Sequence, residues 1–210
     1  MIQFAATVLA IFTLLMGSEL WWRRHNMHEE FSRKFLHITI GTFVAFWPFF
    51  LSWGQIELLS IAFLLVAGVS KYLNLFQAIR SVQRPTWGEL FFALAVGAIA
   101  LVTHDKWIYL AAILQMSLAD GFAAVVGVHY GRSNRYRVLG HDKSVAGTLT
   151  FLLISLVILV GYGWLAPGVG FSAGFIGITV LATLGENIGV RGVDNLLVPL
   201  VVALLLKTIS

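Results

Sequence analysis

The amino-acid sequence is 210 residues long, 59% hydrophobic and only 11% charged, with a formal net charge of +4, and its mean hydropathy is +0.87. So few charged side chains cannot cover a water-facing surface, which excludes a soluble enzyme, a nucleic-acid-binding domain and a disordered chain. The sequence contains no cysteine. It therefore has no disulfide and no cysteine-based metal site, and a bound metal would use oxygen or imidazole ligands.

Apolar segments of membrane-spanning length recur along the chain. A spanning helix needs roughly 20 mainly apolar residues, and shorter runs can span when aromatic residues extend them at the interface. The first segment lacks a basic leader and an Ala-x-Ala-like cleavage site, which predicts a retained helix and not a signal peptide. We predict an all-α fold, a polytopic transmembrane helical bundle of about eight spans, or seven if one weak span is lost, in a single integral membrane domain over residues 1–210. The predicted spans are Ile2 to Trp22, Phe35 to Trp53, Ile56 to Tyr72, Leu90 to Thr103, Trp107 to Val128, Thr148 to Leu165, Phe171 to Leu184 and Asn195 to Thr208.

The positive charges predict how these spans are oriented. Cytoplasmic loops carry the excess of lysine and arginine, and twelve of the fourteen such residues fall in the odd-numbered loops. Only Lys106 and Lys207 fall on the opposite side. We therefore expect the odd-numbered loops to be cytoplasmic and both termini to be outside. A compact chain without a transit segment predicts a prokaryotic plasma membrane and not a plastid envelope.

Basic residues open the second predicted span. Arg33 and His37 are four residues apart and share one helical face, and Lys34 lies between them. This arrangement is suited to binding an anion, and the alternative is anchoring to anionic lipids. Glu89 begins the fourth span from the same side. It is either an additional site residue or a first-turn acid that complements the helix dipole.

One carboxylate lies well inside an apolar run. Asp120 follows Ala119 in the fifth predicted span, where an ionised carboxylate costs several kcal/mol unless it is paired, hydrated or metal-bound. Acids inside a membrane mark functional sites by default, and the alternative is a structural aspartate that caps a broken helix or pairs with a buried arginine. Gly127 and Gly131 follow it and would let a phosphate or a neighbouring helix approach the backbone closely.

The fifth loop has the features of a phosphate site. It contains Arg132 and ends in Lys143 and Ser144, with Gly147 and Thr148 opening the next helix. The amides and the dipole of a helix N-terminus favour bound phosphate. The alternative is a cytoplasmic basic loop followed by an ordinary helix cap.

The seventh loop carries a second group of oxygen ligands. Glu186, Asp194 and Asn195 lie between the last two predicted spans, and hard oxygen ligands without cysteine are those that Mg²⁺ prefers. Asp194 and Asn195 fit the N-cap of the last helix equally well.

The acids and bases share one side of the membrane in this topology. Arg33, Asp120 and Lys143 all fall at or near the cytoplasmic ends of their spans, as do the acids of the seventh loop. This placement favours chemistry between a soluble phosphate donor and a lipid. A small ion-coupled transporter with a titrating Asp120 is the alternative, although no polar path through the outer half is evident.

With these motifs in view, the chain resembles the CTP-dependent lipid-alcohol kinases, the family of dolichol kinase, phytol kinase and the fungal diacylglycerol kinase. The resemblance rests on five blocks in order. Val128 and His129 replace basic residues that the family often carries, and Ala146 stands where many relatives have glutamate, a form closer to the phytol-kinase-like branch. The blocks are Arg33-Lys34-x-x-His37, TWGE ending at Glu89, ADGFAAVVGxxxGR from Ala119 to Arg132, KSxAGT from Lys143 to Thr148, and Glu186 followed by GVDNLLVP from Gly192 to Pro199.

The resemblance implies transfer of a phosphoryl group from CTP, with Mg²⁺, to a membrane isoprenoid alcohol such as phytol, geranylgeraniol, polyprenol or dolichol, giving the lipid monophosphate and CDP. It implies membrane lipids as surroundings and no nucleic-acid partner. Diacylglycerol as the acceptor is an alternative, and a looser similarity to the CDP-diacylglycerol synthases implies another, cytidylyl transfer. The implied catalytic residues are Asp120, Lys143 and His37, the implied nucleotide-binding residues are Arg33, Lys34, Gly127, Gly131, Arg132, Ser144, Gly147, Thr148 and Asn195, and the implied metal ligands are Asp120, Glu186 and Asp194, with Glu89 as an additional site residue.

Overall fold

The computed structural model describes residues 2–25, 29–73 and 87–209. Their secondary structure is almost entirely helical, which confirms the predicted helical class. The helices are α1 Ile2–His25, α2 Glu29–Ala45, α3 Trp53–Leu73, α4 Gly88–Val102, α5 Lys106–Leu114, α6 Asp120–Tyr130, α7 Val145–Leu165, α8 Gly174–Ile188 and α9 Asp194–Ile209. A single 3₁₀ turn, Trp47–Phe49, separates α2 from α3, and a π-helical turn, Gln115–Ala119, joins α5 to α6.

The core lies around α5 and α6, which the π-helical turn joins into one continuous helix of 25 residues, Lys106–Tyr130. Asp105 caps its start, because its carboxylate accepts hydrogen bonds from the backbone N–H groups of Trp107 and Ile108 at 2.7 and 3.0 Å. Tyr109 and Met116 are almost completely buried. The helices α2, α7 and α9 pack against this continuous helix, and α3 packs on α4.

The helix α2 approaches the π-helical turn closely through glycine. A Cβ atom on Gly41 would overlap with the Ser117 side chain, and one on Gly121 would overlap with Ile38. Small residues at helix contacts let two backbones come together. This contact fixes the position of α2, which carries Lys34 and His37, relative to Asp120.

A two-stranded hairpin replaces the loop that we expected between the fifth and sixth spans. The strands β1 Arg135–Val138 and β2 His141–Ser144 are antiparallel, with Tyr136 opposite Lys143. The φ angles of Leu139 and Gly140 are 48° and 80°, and a two-residue hairpin turn of this kind requires positive φ at both central residues. The all-α prediction, with a loop here, therefore missed this hairpin, whose strands have only four residues each and so give a short period-two pattern.

The second predicted span, Phe35 to Trp53, was also wrong as a continuous helix. The helix α2 begins earlier, at Glu29, and ends at Ala45. Pro48 lies in the following 3₁₀ turn, and it has no N–H group to continue the helical hydrogen bonds. The predicted last span, by contrast, corresponds to α9.

Two helices, Lys106–Tyr130 and Val145–Leu165, are long and apolar enough to cross a membrane by length and composition. Four shorter apolar helical segments, Ile2–Ser18, Trp53–Val69, Gly88–Val102 and Gly174–Ile188, accompany them. The arrangement of eight spans with both termini outside stays a prediction.

Candidate active site

Three carboxylates from α6, α8 and α9 lie close together. Asp120 begins α6, Glu186 lies in the last turn of α8, and Asp194 begins α9. One oxygen from each carboxylate lies within 4.8 Å of the other two. Asp120 and Glu186 are only 7% and 6% exposed. The structure thus brings Asp120 of the fifth predicted span together with Glu186 and Asp194 of the seventh loop.

Two lysines neutralise part of this carboxylate cluster. Lys34 Nζ lies 2.7 Å from Asp120 Oδ2, and Lys143 Nζ lies 2.5 Å from Glu186 Oε1 and 2.8 Å from the Glu186 carbonyl oxygen. Three carboxylates therefore face two ammonium groups. Because buried charges are costly unless they are paired, the cluster can accept another cation.

The titration of two groups reflects this crowding. Burial alone would lower the pKa of the Lys143 ammonium group. The negative charge of Glu186 outweighs burial, with smaller contributions from Asp194 and Asp120, and holds that pKa above its ordinary value. Burial, and next the Asp120 carboxylate, raise the pKa of Asp194 to about 6. Asp194 precedes the predicted last span, and with this pKa it can bind a proton at mildly acidic pH.

His37 lies beside Asp120 and bonds to the π-helical turn. Its Nε2 atom is 2.9 Å from the Met116 carbonyl oxygen and 3.6 Å from Asp120 Oδ2. A ring nitrogen that faces a carbonyl oxygen carries a proton and donates it. The ring edge also packs on Phe92. His37 therefore supports the backbone from which Asp120 projects.

A cavity of about 570 Å³ adjoins the carboxylate cluster. Beside the cavity, α6 and α7 pack closely through glycine, because a Cβ atom on Gly147 would lie 3.0 Å from the Ala123 carbonyl oxygen and 3.4 Å from the Gly127 Cα atom. These glycines therefore let the two helix backbones come together. Ten of the residues selected from sequence line this cavity: Lys34, Asp120, Gly127, Lys143, Ser144, Gly147, Thr148, Glu186, Asp194 and Asn195.

Two of these lining residues also have structural bonds. Ser144 is the N-cap of α7, since its hydroxyl oxygen accepts a hydrogen bond from the Gly147 backbone N–H at 3.1 Å. The Asn195 side-chain amide donates to the Gly88 carbonyl oxygen at 3.0 Å. The capping alternative is thus correct for Ser144, and Asn195 ties the start of α9 to the start of α4.

Other selected residues lie away from the cavity wall. Arg132 is exposed at the end of α6, and Gly131 packs against Gly127 and Ser144. Glu89 is a first-turn residue of α4, and the neighbouring Gly88 lines the cavity in its place. The side chain of Arg33 lies outside the described part of the structure.

Three basic residues that the sequence analysis passed over line the cavity: Arg135, His141 and Arg191. In the sequence, the two arginines count among the positive charges of the odd-numbered loops, and no ligand spacing singles out His141. Arg135 and Arg137 alternate with Tyr136 and Val138, a period of two that indicates a strand, and a hairpin on this strand brings Arg135 and His141 to the cavity that Lys143 lines. For Arg191 no such signal exists.

A tyrosine fastens the hairpin to two helices. The Tyr136 hydroxyl donates to Asn187 Oδ1 of α8 and forms a second short hydrogen bond with Thr148 Oγ1 of α7. The Asn187 amide is held in turn by the Thr183 carbonyl oxygen at 2.9 Å. Because Tyr136 is opposite Lys143 in the hairpin, these bonds and the pair between Lys143 and Glu186 hold the same face of the hairpin against α8.

We expect Tyr136→Phe to destabilise the protein by about 1 kcal/mol, the net contribution of a typical hydrogen bond. Thr148 and Asn187 can still bond to each other, at 3.3 Å, which limits the loss. Thermal unfolding in detergent measures the effect, and Tyr130→Phe, at a tyrosine that is 67% exposed, is the matched control. Equal melting temperatures for the two variants would contradict a fastening role.

Comparison with known proteins gives two relatives. The chain is 34% identical over 213 residues to a phytol kinase from Synechocystis sp., and the match covers 96% of this chain and 88% of that protein. It is 25% identical over 204 residues to a probable chloroplastic phytol kinase 3 from Glycine max, and this match covers 85% of this chain and 62% of that protein. Neither a protein-family model nor a solved structure matches. On the length and identity of the Synechocystis match, the chain belongs to the phytol kinase family.

Proposed function

We propose that this protein transfers the γ-phosphoryl group of CTP to the hydroxyl of a membrane isoprenoid alcohol, phytol or a related polyprenyl alcohol. The observation that carries the proposal is the group of three carboxylates and two lysines on the wall of one cavity. Phosphoryl transfer needs this combination, because catalysis consists mainly of positioning the donor and neutralising its charge. The names of the relatives supply the class of alcohol.

The carboxylate cluster fits a divalent cation. Asp120, Glu186 and Asp194 offer converging oxygen atoms, the donor set that Mg²⁺ takes up together with water and phosphate oxygens. Three carboxylates with two lysine partners leave a negative charge for the ion to neutralise. When bound, Mg²⁺ would supply charge neutralisation of the donor phosphates.

The side chains around the cluster have separate roles in the proposed reaction. Lys34 and Lys143 move from their carboxylates toward the donor phosphates, and the cavity that both lysines line holds the nucleotide. The alcohol oxygen attacks the γ-phosphorus in line, its O–H proton leaves to a base, and the P–O bond to CDP breaks. Asp120 either accepts that proton or holds the metal, and His37 supports its position.

The acceptor is proposed to enter from the bilayer. Large apolar side chains are exposed along the outer faces of the helices, among them Leu65, Val157 and Trp164 at 63%, 70% and 90%. Surfaces of this kind face lipid or another apolar partner. An isoprenoid tail would lie along them, with its hydroxyl at headgroup depth beside the carboxylates. We place the cavity on the cytoplasmic side of a prokaryotic plasma membrane, where CTP is available.

The test is incubation of the purified protein in detergent with Mg²⁺, γ-labelled CTP and single alcohols, namely phytol, geranylgeraniol, a polyprenol, dolichol and diacylglycerol. We expect label on an isoprenoid alcohol and CDP in equal amount, and γ-labelled ATP serves as the donor control. Label from ATP alone would refute the donor, and label on diacylglycerol alone would refute the acceptor. Lipid labelled from α-labelled CTP and phosphatidate, with release of pyrophosphate, would show cytidylyl transfer instead.

A further inference from the structure

The backbone of Arg191 adopts a conformation that side chains disfavour. Among the described residues, Leu139 and Arg191 are the two non-glycine residues with positive φ, at 48° and 55°. Leu139 belongs to the hairpin turn, which requires such angles. Arg191 lies between α8 and α9 as the first central residue of a turn of the same kind, which a hydrogen bond from the Val193 backbone N–H to the Val190 carbonyl oxygen closes at 3.1 Å. Such a turn requires positive φ at both central residues, and Gly192, the second of them, has a φ of 93°.

The connection that contains Arg191 is fixed against the start of α4. The Arg191 carbonyl oxygen accepts a hydrogen bond from the Trp87 backbone N–H at 3.0 Å. Gly192, with φ of 93°, packs so closely that a Cβ atom there would lie 2.6 Å from the Gly88 Cα atom. The Asn195 amide also holds the Gly88 carbonyl oxygen. These contacts fix the path of the backbone and hence the direction in which the Arg191 side chain leaves it.

Arg191 lines the same cavity as the carboxylate cluster, and Arg135 of β1 lines it too. Within residues 2–25, 29–73 and 87–209, neither guanidinium forms an ion pair, whereas Lys34 and Lys143 are both paired with carboxylates. The guanidinium groups are therefore the cations of the cavity wall that remain available to an anion. A guanidinium is a planar fork that binds two phosphate oxygens at once.

We propose that Arg191 binds the phosphate groups of the nucleotide donor, with Arg135 as a second guanidinium on the same cavity. This inference rests on the proposed function and names a binding residue within it. Phosphate oxygens also occur in anionic lipid headgroups. We assign the donor because Arg191 shares its cavity with Asp120 and Asp194, where the transferred group must lie.

The test measures nucleotide binding directly, without turnover. Wild-type protein, Arg191→Asn and Arg191→Lys are placed in phosphatidylcholine nanodiscs with Mg²⁺, and binding of α-labelled CTP is measured at equilibrium. Asparagine tolerates positive φ, so Arg191→Asn removes the guanidinium without adding backbone strain. Arg24→Asn, at an exposed arginine of α1, is the matched control. A second set of nanodiscs contains phosphatidylglycerol, and the melting temperature of each variant is recorded in both sets.

We expect Arg191→Asn to bind CTP roughly 10-fold to 100-fold more weakly, which corresponds to loss of a charge-assisted hydrogen-bond pair, and to melt no lower than the wild type. Arg191→Lys is expected to fall between them, and Arg24→Asn to bind like the wild type. Unchanged CTP affinity in Arg191→Asn would overturn the inference, as would a lower melting temperature or an effect confined to phosphatidylglycerol. Wild-type protein that binds no CTP at all would refute the proposed donor itself.

Discussion

Asp120→Asn is expected to reduce phosphorylation of the lipid alcohol by about 10²-fold to 10³-fold, the scale of losing one group that stabilises charge in the transition state. Asparagine has nearly the same shape as aspartate, but it neither accepts a proton nor offers the metal an anionic ligand. Both proposed roles of Asp120 are therefore lost in one substitution. Turnover with γ-labelled CTP measures the effect, and gel filtration in detergent checks that the variant remains folded.

Asp105→Asn is the matched control for this substitution. Asp105 caps the opposite end of the same continuous helix, and asparagine caps helices about as well as aspartate. We expect turnover and melting temperature close to those of the wild type. If Asp120→Asn kept a tenth or more of the turnover while folded, Asp120 would be neither a metal ligand nor the proton acceptor, and its pair with Lys34 would be structural.

The carboxylate cluster could be anticipated from the sequence because its members are unusual for their surroundings. Asp120 interrupts an apolar run, while Glu186 and Asp194 flank the turn between two apolar runs. Alternating topology then places all three at the same membrane face. Hydropathy also located α4, α7 and α9 closely. Hydropathy did not predict that Asp120 pairs with Lys34 and Glu186 with Lys143, since that depends on how α2 and the hairpin pack.

The rest of the site depends on local backbone geometry that composition does not encode. The π-helical turn before Asp120 has the same apolar pattern as an α-helix, yet it determines where the Asp120 side chain points. Arg132 is predicted as a site residue because it lies in the basic fifth loop and ends the ADGFAAVVGxxxGR block, but the hairpin carries Arg135 to the cavity instead. Arg191 reaches the cavity through a left-handed backbone that glycine would normally be expected to adopt.

We expect Mg²⁺ to raise the melting temperature strongly at pH 7.5 and only slightly at pH 5. Removal of Mg²⁺ with EDTA is expected to abolish turnover. Asp194 has a pKa of about 6 in the folded protein, which is above its ordinary value of 3.8. Without metal, the folded state thus binds the proton more tightly than the unfolded state does. The resulting stability is fully present below about pH 4 and is lost as the pH rises through about 6.

A bound cation reverses this loss, because it replaces the proton at the ionised cluster. At a hundredfold excess over its Kd, Mg²⁺ would stabilise the folded state by about 2.7 kcal/mol.

Asp194→Asn should be more stable than the wild type at pH 7.5 without metal, and it should respond little to Mg²⁺, whereas Asp105→Asn should behave like the wild type. Thermal unfolding from pH 5 to 8, with and without Mg²⁺, tests this. A Mg²⁺ response that is equal at both ends of this range, or intact in Asp194→Asn, would show that the ion binds elsewhere and that the three carboxylates are held together by their lysines alone.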